Sequence, residues 1–232
     1  TVQTAFVGLD SFEDVVGLLR RLGIDFEGNL SSFEVMWRYY YHFMVEETGK
    51  HQAFLPTDYH YYVLLESEGS DAGREEEQFM TVLGALMEEG HIADAVIAQS
   101  SQQAAQLWEM RDDVEALIHV YSPAAVFDIR LPIREMEAND NDLQQELKQQ
   151  FTEARLVSFG HLGDGNIHLG IGPARDKHAV DSIVYERLAR VNGSISAELG
   201  IGLEKRDFLT HSRSATEIEL MKTLKKALDP KK

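Results

Sequence analysis

The sequence predicts an α+β fold: a ferredoxin-like, largely antiparallel sheet flanked by helices. Strand-like and helix-like segments alternate along all 232 residues. The strand-like segments are short and lack the long apolar runs that are typical of buried parallel strands, which favours antiparallel pairing. No long linker, low-complexity tract or sequence-level repeat divides the chain. We therefore expect one large unit or two closely packed halves.

The first half of the chain repeats a strand followed by a helix four times. Residues 61–66, YYVLLE, combine aromatic and branched side chains as strands do. Residues 11–22 carry apolar side chains at helical spacing. A Gly/Ser/Asp turn at 69–73 precedes the third helix. We predict strands at 4–9, 31–36, 61–66 and 93–98, and helices at 11–22, 37–45, 75–89 and 102–116.

The second half continues with three strands and three helices. Pro132 closes the first strand, and the polar run Asn139-Asp140-Asn141 predicts the start of an acidic helix. Ser214 and Glu217 fit a capping box for the last helix, which Asp229-Pro230 ends. We predict strands at 125–131, 156–161 and 167–171, helices at 140–152, 176–191 and from 214, and a glycine-bearing segment at 193–202.

The charge of the chain excludes several classes of partner. With 39 Asp and Glu against 22 Lys and Arg, the formal net charge is −17, which opposes attraction to phosphate backbones and anionic membranes. The basic pairs Arg20-Arg21 and Lys231-Lys232 are too small to form a binding stripe, so we expect no nucleic-acid partner. No apolar run approaches the roughly 20 residues that span a bilayer. We expect no membrane span, and we leave the compartment open with the cytoplasm favoured.

The sequence contains no cysteine, which excludes disulfides, thiolate nucleophiles and cysteine metal sites. A metal site would therefore have to use histidine and carboxylate ligands. The chain starts at Thr1 and enters a strand-like stretch at once. We expect it to be part of a longer protein.

Two histidines flank a predicted tight turn in GHLGDGNIH at 160–168. Asp164-Gly165 favours a two-residue type I′ turn, in which both central residues need positive φ. Such a loop would place His161 directly opposite His168, with Cβ atoms about 4.5 to 5.5 Å apart on one face. Two imidazoles at this spacing can reach one metal ion. The alternative is that each histidine is an ordinary sheet residue with satisfied hydrogen bonds, and the opposition of the two across a tight turn favours the metal site.

A third ligand is needed, because catalytic zinc commonly takes two histidines and one carboxylate and leaves a position for water or substrate. Glu198 is the candidate, since the small and glycine residues of 194–202 permit a close backbone approach. Spacing alone does not single it out, because Asp164 and Glu204 could also serve.

Two motifs resemble the C-terminal domain of the FAD-linked oxidases, in the branch of the D-lactate and D-2-hydroxyglutarate dehydrogenases. They are GHLGDGNIH at 160–168 and SISAELGIG at 194–202, the latter followed by Lys205-Arg206-Asp207. Weaker likenesses lie at 31–34, 107–111, 127–132 and 220–230. The resemblance therefore covers nearly the whole chain.

The resemblance implies that residues 1–232 are the substrate- and metal-binding C-terminal domain, with a terminal helical segment, of a protein whose FAD-binding domain is absent here. The implied reaction is oxidation of a D-2-hydroxy acid, such as lactate, glycolate or 2-hydroxyglutarate, by hydride transfer to FAD. The implied partners are that small-molecule substrate and the FAD-binding domain of the same protein, with a homodimer as one option. The domain alone is expected to be inactive.

The resemblance also implies roles for particular residues. His161, His168 and Glu198 would bind a divalent metal, zinc, and Arg111 would bind a substrate carboxylate. Gly160, Gly163 and Asn166 would contact the cofactor. From the residues alone, Arg111 could equally be an exposed helix arginine beside Asp112 and Asp113.

Three positions depart from the family pattern. Leu199 stands where the resemblance implies the histidine that removes the hydroxyl proton, and leucine cannot accept a proton. Val126 replaces a substrate-contacting lysine, and Gly170 replaces an asparagine.

These departures leave three functions open. The first is a dehydrogenase in which the metal does more of the hydroxyl activation, with His119 or Tyr121 as a different base. The second is a catalytically silent metal-binding or assembly module. The third is a free-standing metal-dependent hydrolase that uses the same three ligands.

Overall fold

Seven strands form one antiparallel sheet in the computed structural model, which describes residues 1–230; Lys231 and Lys232 lie outside the described residues. The strand order is β4-β1-β3-β2-β6-β7-β5, and every neighbouring pair is antiparallel. The strands are β1 Val2–Leu9, β2 Leu30–Trp37, β3 Tyr61–Glu68, β4 Asp94–Ile97, β5 Ala125–Arg130, β6 Arg155–His161 and β7 Asn166–Gly172. The predicted α+β class with a largely antiparallel sheet is confirmed.

Eight α-helices accompany the sheet within the described residues. They are α1 Phe12–Asp25, α2 Arg38–His42, α3 Ala72–Glu88, α4 Ser101–Asp112, α5 Val114–Val120, α6 Ile133–Gln150, α7 Lys177–Arg190 and α8 Ala215–Leu228. A π-helical turn, Phe43–Glu47, extends α2. The predicted capping box of the last helix is confirmed, since Ser214 and Glu217 satisfy each other's backbone N–H groups. Within residues 1–230, the helices are all too short or too polar to cross a membrane.

Two ferredoxin-like halves make up the sheet and meet edge to edge. The first half consists of β1, α1, β2, β3, α3 and β4, with α2 and the π-helical turn inserted between β2 and β3, and its strands lie in the order β4-β1-β3-β2. The second half repeats this plan through β5, α6, β6, β7 and α7. Where a fourth strand would follow, the chain makes a single antiparallel bridge between Ser194 and Arg130. Strands β2 and β6 join the halves by pairing Glu34 with His161 and Met36 with Phe159.

The two faces of the sheet are packed differently. The first face packs against α1, α3, α6 and α7. Every strand except β4 contributes buried aliphatic or aromatic side chains to it, and β4 contributes partly buried ones. The second face packs against α2, the π-helical turn, α4 and α5, in an aromatic cluster that includes Phe6, Tyr40, Tyr41, Tyr62 and Phe159. On β5 this second face is more open, because Val126 is 43% exposed.

Two predicted helix boundaries are wrong. The helix predicted at 140–152 begins at Ile133, directly after Pro132. Met136, Asp140, Leu143 and Leu147 form a buried stripe at helical spacing, so burial carries the helix through the polar run at 139–141. The helix predicted at 102–116 is divided at Asp113, whose carboxylate accepts a hydrogen bond from the N–H of Ala116 and caps α5.

Candidate metal site

A row of polar side chains crosses the second face where the two halves meet. Glu34 of β2 lies opposite His161 of β6, and Asp128 of β5 lies opposite His168 of β7. Phe159 also lies opposite His168 and is two residues from His161, so both histidines point to the same face. Antiparallel pairing thus brings four polar residues from four strands together.

The predicted register of the histidine hairpin is wrong, although the histidines do meet. Residues 162–165 form a four-residue loop with a 3₁₀ turn at Leu162–Asp164, and Phe159, not His161, lies opposite His168. The Asp164 carboxylate accepts a hydrogen bond from the N–H of Asn166 at 3.0 Å, which stabilises this wider turn. Only Gly165, with φ of 79°, needs the left-handed conformation. The histidines are therefore diagonal neighbours.

Three potential ligand groups converge at this point. His161, His168 and Glu198 each offer one ligand atom, and these atoms all lie within 4.8 Å of one another. The two imidazole rings are 5.5 Å apart between centroids and nearly perpendicular, at 83°. The Nε2 atom of His161 lies 3.7 Å from the Oε1 atom of Glu198. Two imidazoles and a carboxylate are a donor set suited to zinc, with room for further ligands.

Glu34 orients the ring of His161. Its Oε1 atom lies 2.6 Å from Nδ1 of His161, which leaves Nε2 on the side of Glu198. This hydrogen bond raises the pKa of His161 above its ordinary value. A carboxylate that holds the second ring nitrogen is the usual support of a metal-ligating histidine. The residues present therefore fit a metal, which would have to displace a proton from His161 at low pH.

His168 is in the opposite electrostatic situation. Burial lowers its pKa, and the nearby charges of Arg111 and His161 lower it further. A lowered pKa keeps the imidazole neutral, and the neutral form is the one that binds a metal.

Arg111 of α4 lies beside the group and is only 7% exposed, so it is not the exposed helix arginine of the alternative interpretation. Its Nη2 atom donates to Glu34 at 2.6 Å and lies 3.4 Å from Nε2 of His161. Its Nη1 atom donates to Asp112 at 2.9 Å. The guanidinium also lies over the ring of Phe159, 5.0 Å from the centroid.

The three residues predicted to contact a cofactor occupy different environments. A Cβ atom on Gly160 would lie 2.4 Å from the carbonyl oxygen of Asn166, so glycine is required there by the close approach of β6 and β7. Asn166 is 1% exposed, and neither polar atom of its amide has a partner among the described residues. Gly163 is exposed at the tip of the loop. Gly160 therefore has a structural reason for its residue type, whereas the contacts of Asn166 and Gly163 supply none.

The open rim of the site is apolar. Leu199, next to Glu198, is 80% exposed, and its N–H donates to Asp128. Val126 lies on the same face, opposite Gly170. The side chain of Leu117 in α5 occupies the space above Gly170. All three departures from the family pattern thus lie on the second face around the histidines or on the loop beside them.

The structure does not favour the two other bases. Tyr121 is buried in the aromatic cluster, and burial raises its pKa to about 12, which opposes the tyrosinate form that a base requires. His119 is exposed on α5. The other carboxylates considered as ligands also lie apart: Asp164 caps the hairpin loop, and Glu204 pairs with Lys177.

Sequence reasoning missed Glu34 and Asp128 as members of the site. Both are buried acids in strands whose other inward-facing residues are apolar. That is the signal that could have found them, because an unpaired carboxylate in a sheet core is costly. Their partners are 127 and 70 residues away along the chain, which no local pattern reveals.

Comparison with known sequences gives a family match along the entire chain. Residues 1–232 match the family model described as "FAD linked oxidases, C-terminal domain". A protein provisionally named a mitochondrial D-lactate dehydrogenase, from Schizosaccharomyces pombe, is 33% identical over 243 residues, which cover 99% of this chain and 46% of that protein. A D-2-hydroxyglutarate dehydrogenase of Stutzerimonas stutzeri is 37% identical over 183 residues, covering 75% of this chain and 39% of that protein. The chain spans less than half the length of both relatives.

Solved structures agree on the fold. The structure of p-cresol methylhydroxylase with substrate bound matches with a TM-score of 0.67 at 11% identity. The match covers 99% of this chain and 51% of that chain. At this identity the likeness concerns the fold alone.

Proposed function

Because this chain belongs to the family of FAD-linked oxidase C-terminal domains, we propose that it is the substrate-side domain of a flavin-dependent dehydrogenase that oxidises a D-2-hydroxy acid. Flavin, when bound, accepts the hydride that leaves C2 of the substrate. A divalent metal, which we propose is zinc on His161, His168 and Glu198, supplies a Lewis acid for the substrate hydroxyl. The observation that carries this proposal is the convergence of those three ligand groups on the open second face.

The chain's own residues prepare this site in distinct ways. Burial favours the neutral form of His168, and Glu34 holds the Nδ1 side of His161, which leaves Nε2 on the side of Glu198. Glu198 lies opposite them with its carboxylate. With a proton of His161 displaced, the ligand set would combine two neutral imidazoles with one anion, which compensates part of a divalent charge.

Arg111 is proposed to bind the substrate carboxylate. Its bond to the buried Glu34 fixes the guanidinium, whereas its second partner, Asp112, is exposed. An ion pair with an exposed partner contributes little, typically about 0–1 kcal/mol. A substrate carboxylate can therefore replace Asp112 on Nη1 at small cost and gain the same charge-assisted hydrogen bond.

The test uses the full-length flavoprotein. With its metal bound, it should reduce an artificial electron acceptor with at least one of D-lactate, glycolate and D-2-hydroxyglutarate. Removing the metal with a chelator should lower turnover at least about tenfold, and zinc should restore it. His161→Ala should lose the metal, whereas His119→Ala, at an exposed histidine outside the site, should keep it. Flavin-loaded, metal-loaded protein that oxidises none of these acids would overturn the proposal.

A second candidate function, a catalytically silent metal-binding module, is favoured by Leu199. Its exposed side chain lies next to Glu198 and offers no proton acceptor. General bases contribute about 10²- to 10⁴-fold to a rate, so Leu199→His should raise turnover at neutral pH at least about tenfold in a competent site. A silent module would instead retain metal, show no turnover, and gain none from this substitution.

A further inference from the structure

The segment that carries Glu198 is a loop, so something outside it must hold the carboxylate near the two histidines. After its bridge to Arg130, the chain leaves the sheet at Ser194 and reaches Glu198 without a helix or strand. Glu198 itself is exposed and makes no hydrogen bond with its side chain among the described residues, beyond its approach to His161. The loop is therefore held in place through its backbone and not through the side chain of Glu198.

Asp128 of β5 provides that fixation. It is 3% exposed, lies opposite His168, and points to the second face. Its Oδ2 atom accepts the backbone N–H groups of Glu198 at 3.0 Å and Leu199 at 2.9 Å. The hydroxyl of Ser196 donates to the same oxygen at 3.3 Å. One carboxylate oxygen therefore ties three residues of the loop to the edge strand β5.

Positively polarised groups surround this buried carboxylate. The N–H groups of Leu199 and Glu198 donate to it, and the ammonium of Lys205 lies beside it. Lys205 comes from the end of the same segment and donates to the backbone carbonyl of Asp128 at 3.2 Å, with its Nζ atom 3.9 Å from Oδ2. The segment thus returns to Asp128 twice, on both sides of Glu198.

A purely structural role does not account for an acid at this position. The Oδ1 atom of Asp128 is buried without a partner among the described residues, which is an unfavourable arrangement for a charged group. In the first half of the sheet, Phe6 of β1 faces Leu64 of β3 on the same face, and both are fully buried. An apolar side chain therefore satisfies the packing of an equivalent ladder, and it offers no acceptor for the loop.

We propose that Asp128 is a positioning residue, which holds the backbone of Glu198 and Leu199 so that the Glu198 carboxylate meets His161 and His168. The proposal rests on the metal site of the proposed function and adds a residue outside its ligand set. Lys205 supports Asp128 as its counter-ion. Loss of Asp128 should leave all three ligands in the protein and still lower its affinity for the metal.

The test measures zinc affinity of the full-length flavoprotein by titration calorimetry. Asp128→Asn should weaken zinc binding roughly 10- to 100-fold, the range found when a partner outside the ligand set is lost. Asp140→Asn is the matched control, because Asp140 is equally buried in the same half but lies against Ser158 on the first face. This control should change zinc affinity less than about twofold, and its Co²⁺ absorption spectrum should match wild type while that of Asp128→Asn changes.

A double-mutant cycle separates positioning from a general effect on the fold. In a Glu198→Gln background, Asp128→Asn should lower the zinc affinity further by less than about threefold, because the carboxylate that Asp128 positions is already gone. If Asp128→Asn does not fold, Lys205→Met decides, with an expected weakening of about 3- to 10-fold that Lys177→Met does not share. Equal zinc affinity in wild type and Asp128→Asn would overturn this proposal alone. A wild-type protein without zinc affinity would overturn the ligand set, and this proposal with it.

Discussion

The two halves of the sheet share a plan and differ on the second face. In the first half, Phe6 pairs with Leu64, and the face is sealed by α2 and α4 with their aromatic side chains. In the second half, Asp128 pairs with His168, and the face stays partly open beside Val126. The fourth strand of the plan, β4 in the first half, is reduced in the second to the bridge at Ser194.

This difference separates the framework from the site. The first face is mainly apolar in both halves, with the buried pair Asp140 and Ser158 as a polar exception, so it stabilises the sheet chiefly by packing. Replacing a fourth strand by a loop frees the backbone N–H groups of Glu198 and Leu199 to bind Asp128. The same topology therefore gives a packed core in one half and a cluster of histidine and carboxylate side chains in the other.

The largest expected effect comes from opening the sealed half. Phe6→Ala should lower the free energy of unfolding by about 3–5 kcal/mol, because the substitution leaves a cavity within a fully buried aromatic cluster. His168→Ala, in the open half, should cost only about 1 kcal/mol in metal-free protein. Chemical denaturation measures both. Equal losses would mean that the two halves are packed alike.

The next effect concerns Asp140, a buried acid of the second half on the first face. Burial raises its pKa to about 6, so the charged form is disfavoured in the folded protein. Its contribution to stability is complete below the ordinary pKa near 4 and is lost as the pH rises through about 6. Asparagine does not titrate, so the stability of Asp140→Asn relative to wild type should rise by roughly 2–3 kcal/mol between pH 4 and 7. A pH-independent difference would contradict the raised pKa.

Glu34 belongs to the first half by sequence and to the second half by contact. Glu34→Gln removes the carboxylate shared by His161 and Arg111. It should lower the zinc affinity roughly 10- to 100-fold, which is about 1.4–2.7 kcal/mol of binding free energy. Glu66→Gln is the control, since Glu66 accepts from Thr4 and Trp108 on the same face of the first half. A zinc affinity that both substitutions change equally would remove Glu34 from the site.

The smallest effects test whether the first face is equivalent in both halves. The helices α3 and α7 occupy corresponding places, and each begins with an aspartate cap, Asp71 and Asp176. Asp71→Ala and Asp176→Ala should each cost about 1 kcal/mol, measured by chemical denaturation. A cost confined to one of them would show that the halves differ on this face too.

The framework could be predicted because its signals are local. Apolar periodicity and caps located every strand and nearly every helix, and the ferredoxin-like arrangement followed from their order. The start of α6 was missed because the buried stripe from Met136 to Leu147 outweighed the local preference of Asn139 and Asn141. The edge-to-edge union of β2 with β6 depends on pairing between distant strands, which no window of sequence contains.

The proximity of the candidate site residues could be predicted in part for the same reason. The histidines of the hairpin are close in sequence, and they meet even though the loop has four residues instead of two. Glu198 came from its motif, and the structure places it with them. Glu34 and Asp128 reach the histidines through contacts across the sheet, so their place in the group follows only from the pairing of the strands.

The most direct test of the central claim is X-ray diffraction from zinc-loaded crystals of the full-length protein, at wavelengths on either side of the zinc absorption edge. We predict one anomalous peak on the second face, bonded to a ring nitrogen of His161 and of His168 and to a carboxylate oxygen of Glu198, at about 2.0–2.2 Å. A peak bound by other residues, or none between these three in zinc-loaded protein, would contradict the account.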